Sequence, residues 1–414
     1  MREGRRGVRT GSLESLRELN RLRVVETLRE RGTASRAQIA RVTGLSRSTV
    51  SSLVADLQAN GLVVEYSDPD APASMATGRP PTLLSLDRSA GAVVGIDFGH
   101  DRIHAAVSDL SRTVLAEAIR PEDVDHDAEG SLDTAAELVD ELLEETGLGH
   151  GEVIGVGVAL SGPIDHDRGA VRRTAILPGW EGLAVSAEMS RRLGDLPVHL
   201  DNDANLGALA EVTLGAARDA RNALYVMISS GIGAGLIIDG RPYRGGGGMA
   251  GEIGHVLVDE TGPICRCGNR GCLETYISGP ALTDLLRRSR GEILGVRDIV
   301  RLAKGGDAGC QRAIADAGRV LGRAVAAICN VLNPDTIVVG GDLGEAGDLL
   351  LDPMREAVSR YAIAPAAEDA RVVAGVLGER AQVLGALALA LLQSEHLAAR
   401  LAPHPMAIQR GGRP

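Results

Sequence analysis

GEIGHVLVDETGPICRCGNRGCLE (residues 251–274) places Cys265, Cys267 and Cys272 within eight residues of one another and downstream of His255. Three thiolates and an imidazole, separated by Gly and Pro turns, are the four ligands that a closed tetrahedral zinc site needs. The chain has five cysteines in all, and three are gathered here, which disfavours a chance cluster. A complete Cys3His set leaves no coordination position for water. The expected Zn2+ is therefore structural: it holds the loop 255–272 and fixes Glu252 and Glu274 at its two ends. A thiolate metal site fits a reducing compartment, and no disulfide framework is evident. Cys310 and Cys329 sit in Ala-rich, helix-like stretches and read as packing residues.

Upstream of this loop the texture is α/β. AVVGIDFG (92–99) reads as a strand ending in a glycine turn, followed by a second strand in DRIHAAVSDL (101–110). ALYVMISSGIGAGLIIDG (223–240) repeats the pattern of strand, glycine turn and strand. Two copies of one hairpin imply duplicated lobes with a cleft between them. EVIGVGVALSG (152–162) and DTIVVGGDLG (335–344) add strands, and residues 203–214, 310–332 and 378–394 read as helices. The two glycine turns, with Asp97 and Gly99 in one and Ser230, Gly231 and Gly233 in the other, could offer backbone N–H groups to phosphate oxygens. LDNDAN (200–205) places polar groups past a strand end and at a helix start, where open α/β folds hold ligands. Asp203 reads there either as a base towards a hydroxyl or as a helix N-cap.

The start of the chain differs. Leu16, Leu19, Leu22, Val25 and Leu28 recur at helical spacing and predict an amphipathic first helix. In SRAQIARVTGLSRSTVSSLVADLQANGLVVE (35–65), Ser35 caps a short helix to Arg41, Gly44 turns the chain, and Ser46 caps a second helix to about Asn60. This is the helix-turn-helix pattern, with Ile39, Ala40, Leu45, Val50, Leu53 and Leu57 as its small core. Ser46, Arg47, Ser48, Thr49 and Ser52 at the start of the second helix, together with Arg36, are candidate contacts to double-stranded DNA in a major groove. Residues 62–64 and 82–86 read as two strands flanking a wing, on which Arg79 could enter a minor groove.

Charge supports that division. Residues 1–66 carry 12 Arg against 7 acidic residues, a balance of +5, whereas the remainder of the 414-residue chain carries −16. A basic head on an acidic body is the footprint of a nucleic-acid-binding module joined to one that does not bind it. No apolar run reaches membrane-spanning length, and the Arg-rich start lacks an apolar segment after it, so the expected location is cytoplasmic. The Pro-, Gly- and Arg-containing end beyond about His396 reads as frayed.

With these motifs the chain resembles regulators of the ROK family, whose name joins repressors, open reading frames and kinases. The resemblance is carried by GLSRSTVSSLVADLQANGLV with GRP on the wing, VVGIDFG, LDNDAN, SSGIGAG, GEIGH, CRCGNRGCLE and NPDTIVVGG. The composition of the end makes 399–414 a disordered tail. The resemblance implies a winged helix-turn-helix over 12–88 and a two-lobed sugar-kinase body of the actin/hexokinase type (duplicated ribonuclease H-like) over 89–398. It also implies a sugar held by Asn202, Asp203, Glu252, His255 and Glu274, with His255 shared between sugar and metal. Trp180, the one tryptophan, either flanks that site or simply packs.

Family kinases carry D-x-G-G-T at the first phosphate turn, whereas this chain has Asp97-Phe98-Gly99-His100-Asp101. An Asp about 5 Å from a phosphate, at an effective dielectric near 20, repels each unit of charge by roughly 3 kcal/mol. That is about two powers of ten in affinity. The leading expectation is therefore not an enzyme but a sugar-responsive repressor, a homodimer or tetramer, with Asp203 catalytic only if the alternative holds. That alternative is an ATP-dependent sugar kinase with a DNA-binding head. A ligand-independent DNA-binding scaffold would leave the polar cleft residues unexplained.

Overall fold

A computed structural model describes residues 13–66, 82–172, 177–291 and 293–394. The head comprises α1 (Leu13–Arg31), β1 (Ala34–Ser35), α2 (Arg36–Thr43), α3 (Arg47–Ala59), β2 (Val63–Tyr66) and β3 (Leu83–Leu86). Its strands pair antiparallel in the order β1-β3-β2. Ser35 closes a reciprocal capping box with Gln38, and Gly44 ends α2 in the left-handed region at φ 73°. Ser46 caps α3 as its sequence predicts, accepting from the Thr49 amide. Ile39, Val50, Leu53 and Leu57 are buried in the head core. The wing Arg79 and the tail beyond 394 lie outside the described residues.

The first helix corrects one expectation. Leu16, Leu19 and Leu22 are 55%, 43% and 42% exposed, whereas Arg21, Val24, Val25, Thr27 and Leu28 of this helix are buried. The other helices cover the C-terminal half of α1 and leave Leu16, Leu19 and Leu22 open.

The first lobe contains β4 (Ala92–Phe98), β5 (Arg102–Asp109), β6 (Val114–Pro121), α4 (Ala128–Thr146), β7 (Val153–Leu160), β8 (Ile164–Asp165), β9 (Ala170–Val171), α5 (Val185–Arg192) and β10 (Val198–Asn202). Then α6 (Asp203–Thr213) leads to the second lobe, with β11 (Ala223–Ile228), β12 (Ile232–Ile238) and β13 (Arg241–Pro242). Helices α7 (Glu274–Ile277), α8 (Gly279–Arg290), α9 (Val296–Lys304) and α10 (Ala308–Leu332) follow the 255–272 loop. The chain closes with β14 (Thr336–Gly340), α11 (Gly341–Gly344), α12 (Asp348–Tyr361), α13 (Ala364–Asp369), β15 (Arg371–Ala374) and α14 (Ala381–Gln393).

The two five-stranded sheets run β6-β5-β4-β7-β10 and β13-β12-β11-β14-β15. In each, the central strand pairs antiparallel with the hairpin partner that follows it and parallel with the strand on its other side. The repeated hairpin of the sequence is thus a repeated sheet. β4 and β7 are buried along their whole length, because α4 covers one face of the first sheet and α14 the other. Helix α6 lies on β11 and β12, and crosses α14 where the lobes meet. The crossing is tight: a Cβ on Gly385 would stand 2.0 Å from the Leu206 carbonyl oxygen. Cys310 and Cys329 are fully buried in α10, as packing residues should be. Among the described residues no helix is long and apolar enough to cross a membrane.

Candidate functional site

A cleft of about 460 Å3 opens between the lobes. From the first lobe, the end of β10 and the first turn of α6 bring Asn202 and Asp203 to it. Asn202 is the N-cap: its Oδ1 accepts from the amides of Ala204 and Asn205, and its Nδ2 donates to the Gly162 carbonyl. Asp203 is thereby released from the N-cap role that its sequence position also allowed. Its Oδ2 accepts from Ser161 Oγ at 2.6 Å, a partner contributed by the end of β7 that sequence spacing could not indicate.

From the second lobe come Glu252, His255 and Glu274, which all line the same cleft. Burial raises the Glu252 carboxyl above its usual range, opposed by His255 and reinforced by Asp203 and Glu274. His255 Nδ1 lies 3.6 Å from Cys265 Sγ, and its Nε2 lies 3.9 Å from Glu252. Cys267 and Cys272 have their sulfurs 3.7 Å apart. All four ligand atoms fall within 4.8 Å of one another. Bonds of about 2.3 Å to sulfur and 2.1 Å to nitrogen, at tetrahedral angles, put two sulfurs about 3.8 Å apart and sulfur and nitrogen about 3.6 Å apart. The residues present therefore fit a metal ion. Burial pushes the Cys272 thiol up to about 12, whereas a backbone N–H from Asn269 lowers Cys267. A metal bound here displaces those protons.

Arg266 projects from between two cysteines of the loop. Its Nε and one Nη donate to the two oxygens of Glu274 at 2.8 and 2.6 Å, and Glu274 also accepts from the Ile232 amide. The guanidinium lies against the second glycine turn, 2.8 Å from where a Cβ on Gly231 would be. Ser230 and Gly231 form that turn and line the cleft opposite Asp97 and Gly99. Gly233 does not belong to the turn. It lies within β12, opposite Met227, where a Cβ would come 3.0 Å from the Ala204 methyl. The glycine there lets the first turn of α6 rest on the strand.

At the first turn, His100 Nδ1 sits 2.7 Å from Asp125 Oδ1, and the Gly99 amide donates to the Arg102 carbonyl. The Asp97 carboxyl is pushed up to about 7 by burial, with Asp203 adding to the shift and Arg102 opposing it. Trp180 proves to be a packing residue. It is fully buried, donates through Nε1 to the Val124 carbonyl at 2.7 Å, and meets Phe98 edge-on with ring centroids 5.1 Å apart. Beyond the turns, Arg297 joins Asp342 at 2.8 Å and Glu379 at 2.6 Å, and Glu379 lies 3.9 Å from Arg102 of the first lobe.

The ROK family pattern matches residues 93–393, which takes in both lobes, the Cys3His loop and the crossing helices. The chain belongs to the ROK family. A second pattern, that of the MarR family, matches residues 18–71 of the head. The xylose repressor of Bacillus subtilis (strain 168) is 31% identical over 372 residues, 89% of this chain and 94% of that protein. The crystal structure of a ROK family transcriptional regulator, a homologue of the E. coli Mlc protein, superposes with TM-score 0.76 at 26% identity, over 93% of this chain and 99% of that one. A ROK family glucokinase from Streptomyces griseus, solved with glucose and AMPPNP, gives TM-score 0.65 at 29% identity. It covers 72% of this chain and 99% of its own.

On the MarR-type head of this ROK protein, Ser46, Arg47, Ser48 and Ser52 are exposed along α3 and Thr49 is half-buried. Ser46 Oγ lies 2.9 Å from Ser48 Oγ and 2.8 Å from Thr49 Oγ1, a hydroxyl cluster at the helix start. Arg36 is not part of it. Its guanidinium reaches Gln58 Oε1 at 3.3 Å and Glu65 at 3.8 Å, at the other end of α3. Arg17 and Arg21 of α1 both clamp Asp56 of α3, at 2.7 and 2.9 Å, and so fix the presentation of that helix.

Proposed function

We propose that this ROK protein is a sugar-responsive transcriptional repressor, in which the head (12–88) binds operator DNA and the body (89–398) binds the effector. The observation that carries the reading is the meeting, in one cleft, of Asn202 and Asp203 from the first lobe with Glu252, His255 and Glu274 from the second. Each sugar hydroxyl both donates and accepts, and amide, carboxylate and imidazole groups serve both needs. His255 would bind Zn2+ through Nδ1, with Cys265, Cys267 and Cys272 as the other ligands, leaving Nε2 for the sugar. The metal supplies a fixed ring orientation and no chemical step. Arg47, Ser46, Ser48, Thr49 and Ser52 would meet the major groove, and Arg79 the minor groove.

A ligand shifts DNA binding only through different affinities for two arrangements of the lobes. In a homodimer, closure would change the spacing of two heads, so the operator is a palindrome with half-sites about one helical turn or a multiple apart. The similarity to the B. subtilis xylose repressor runs through head and body alike and makes D-xylose the first sugar to try. Cytoplasmic location follows from this role.

The test is a titration of the protein against its own upstream DNA, with D-xylose, D-glucose and other sugars in turn. A sugar-dependent change in affinity sustains the reading. Tight DNA binding that no sugar alters would remove the effector role of the cleft.

The similarity to the S. griseus glucokinase favours a second reading, an ATP-dependent sugar kinase with Asp203 as the base. Against it stand His100 and Asp101 at the first turn, and the ion pairs of Arg297, Asp342 and Glu379 across the other end of the cleft. ATP consumption that depends on a hexose would reverse this preference.

A further inference from the structure

We infer that Arg244 is a positioning residue for the effector site, acting through Asp201 to set the distance between the sugar-binding groups of the two lobes. The inference rests on the sugar reading of the cleft and adds to it a residue outside the Asn202, Asp203, Glu252, His255 and Glu274 set.

Asp201 is fully buried at the end of β10, immediately before Asn202. Its Oδ1 accepts from the Asn202 amide at 2.8 Å and from Asn205 Nδ2 at 3.0 Å. Its Oδ2 accepts from Arg244 Nε at 2.7 Å, and a second guanidinium nitrogen of Arg244 contacts the same oxygen. One carboxylate thus orients the backbone of Asn202 and the first turn of α6, while a cation from the other lobe satisfies its remaining oxygen. A buried carboxylate holds such a position only with its charge compensated.

Arg244 is 28% exposed against 1% for Asp201, but its backbone is anchored. It follows β13, and its carbonyl accepts from the Ala250 amide at 3.2 Å, which closes the intervening glycine-rich segment into a turn. That turn delivers the chain to Glu252 and His255. Gly251 completes it at φ +100°, against the Ala234 carbonyl, where no Cβ fits. The backbone that carries Glu252 is therefore tied to the backbone that carries Asn202 by one ion pair, spanning 43 residues of sequence and the seam between the lobes.

The experiment compares wild type, Arg244→Met, Arg244→Lys and the charge-free pair Asp201→Asn with Arg244→Gln. Three properties are measured on the full chain: affinity for D-xylose and D-glucose, bound zinc, and operator affinity without sugar. The expected result is a loss of about tenfold or more in sugar affinity for Arg244→Met, with partial recovery in Arg244→Lys, while zinc content and sugar-free operator binding stay at wild-type values. The charge-free pair removes the cost of a stranded carboxylate and guards against simple misfolding; it too should bind sugar more weakly than wild type. Wild-type sugar affinity in Arg244→Met overturns the inference and leaves the sugar reading intact. Parallel loss of zinc, operator binding and sugar binding in all variants, the charge-free pair included, overturns it in favour of a plain folding role. A wild-type protein that binds neither sugar, nor any other in the wider panel, overturns the sugar reading itself.

Discussion

Glu26 of the head accepts a hydrogen bond from Arg112 of the body at 2.6 Å, and the same carboxylate lies 3.4 Å from Arg29. Arg29 also donates to the Leu110 carbonyl at 2.8 Å, so the β5–β6 turn is gripped from α1 at two points. Burial lowers the Arg29 pKa, with Glu26 opposing the shift. The apolar core of the head continues without a break into Val93, Ala106, Leu110, Ile154 and the α14 leucines. β5 therefore begins beside the cleft at Arg102 and ends at Asp109 against the head, which makes head and first lobe a single packed unit.

Cutting this join should uncouple the sugar from the DNA. Glu26 itself is 42% exposed, but Arg112 and Arg29 are only 15% and 6% exposed, so Glu26→Gln leaves two largely buried guanidiniums short of a carboxylate and should cost roughly 1–3 kcal/mol of stability. Sugar affinity and sugar-free operator affinity should both survive in Glu26→Gln and Arg112→Ala, while the sugar-induced change in operator affinity shrinks. Operator titrations with and without sugar read all three quantities. An undiminished response would mean that the apolar contact alone carries the coupling.

Arg47→Ala should weaken operator binding by about 1–3 kcal/mol and flatten its dependence on salt. Arg36→Ala, whose guanidinium is engaged with Gln58 and Glu65, should change it far less. Fluorescence anisotropy on a labelled operator distinguishes the two, and equal losses would place the DNA across both ends of α3.

Purified protein should carry one zinc ion per chain, and Cys272→Ser should lose it, whereas Cys310→Ser keeps it. Elemental analysis decides this directly. Because the metal ligands enclose the 255–272 loop, the Cys272 variant should also expose that loop to protease at concentrations that spare the wild type. Zinc retained in Cys272→Ser would exclude that sulfur from the site.

Asp97 gives a prediction in pH. Its folded carboxyl titrates near 7, above the ordinary value of 3.8. A carboxyl raised in the fold binds its proton more tightly there than in the unfolded chain, so stability falls as pH climbs from about 4 to 7. Asp97→Asn, which carries no charge to bury, should gain on wild type by roughly 2–4 kcal/mol between pH 5 and pH 8. Urea melts at the two pH values test this, and a constant difference would show that Arg102 compensates the carboxylate fully.

The sequence made the local patterns legible. The caps at Ser35 and Ser46, the two hairpins and the Cys3His spacing are contacts between residues near in the chain, and each appears where its motif stands. The pairings that cross the fold were not legible. Nothing in the spacing of Asp201 and Arg244, Asp203 and Ser161, or Glu26 and Arg112 announces that they meet, because each depends on how sheet, helix and lobe are stacked. Periodicity misled in one place. Leu16, Leu19 and Leu22 share a face with Val25, but a repeat shows only which residues align, and the head covers the end of that face alone. Gly233 misled for a related reason: a glycine needed for helix contact has the same letter as one needed for a turn.

The contact between Leu206 and Gly385 bears on how such a molecule can move. Backbone meets backbone there, so sliding α6 along α14 by a residue would drive the Leu384 or Ala386 side chain into the Leu206 carbonyl. Rotation about the contact disturbs far less packing. The crossing is then a fulcrum. Asn202 and Asp203 lie one turn away from it, at the start of α6. The head, fastened to the far end of β5 and packed on the first lobe, would turn with that lobe about it, so a tilt at Asn202 and Asp203 would be carried to α3.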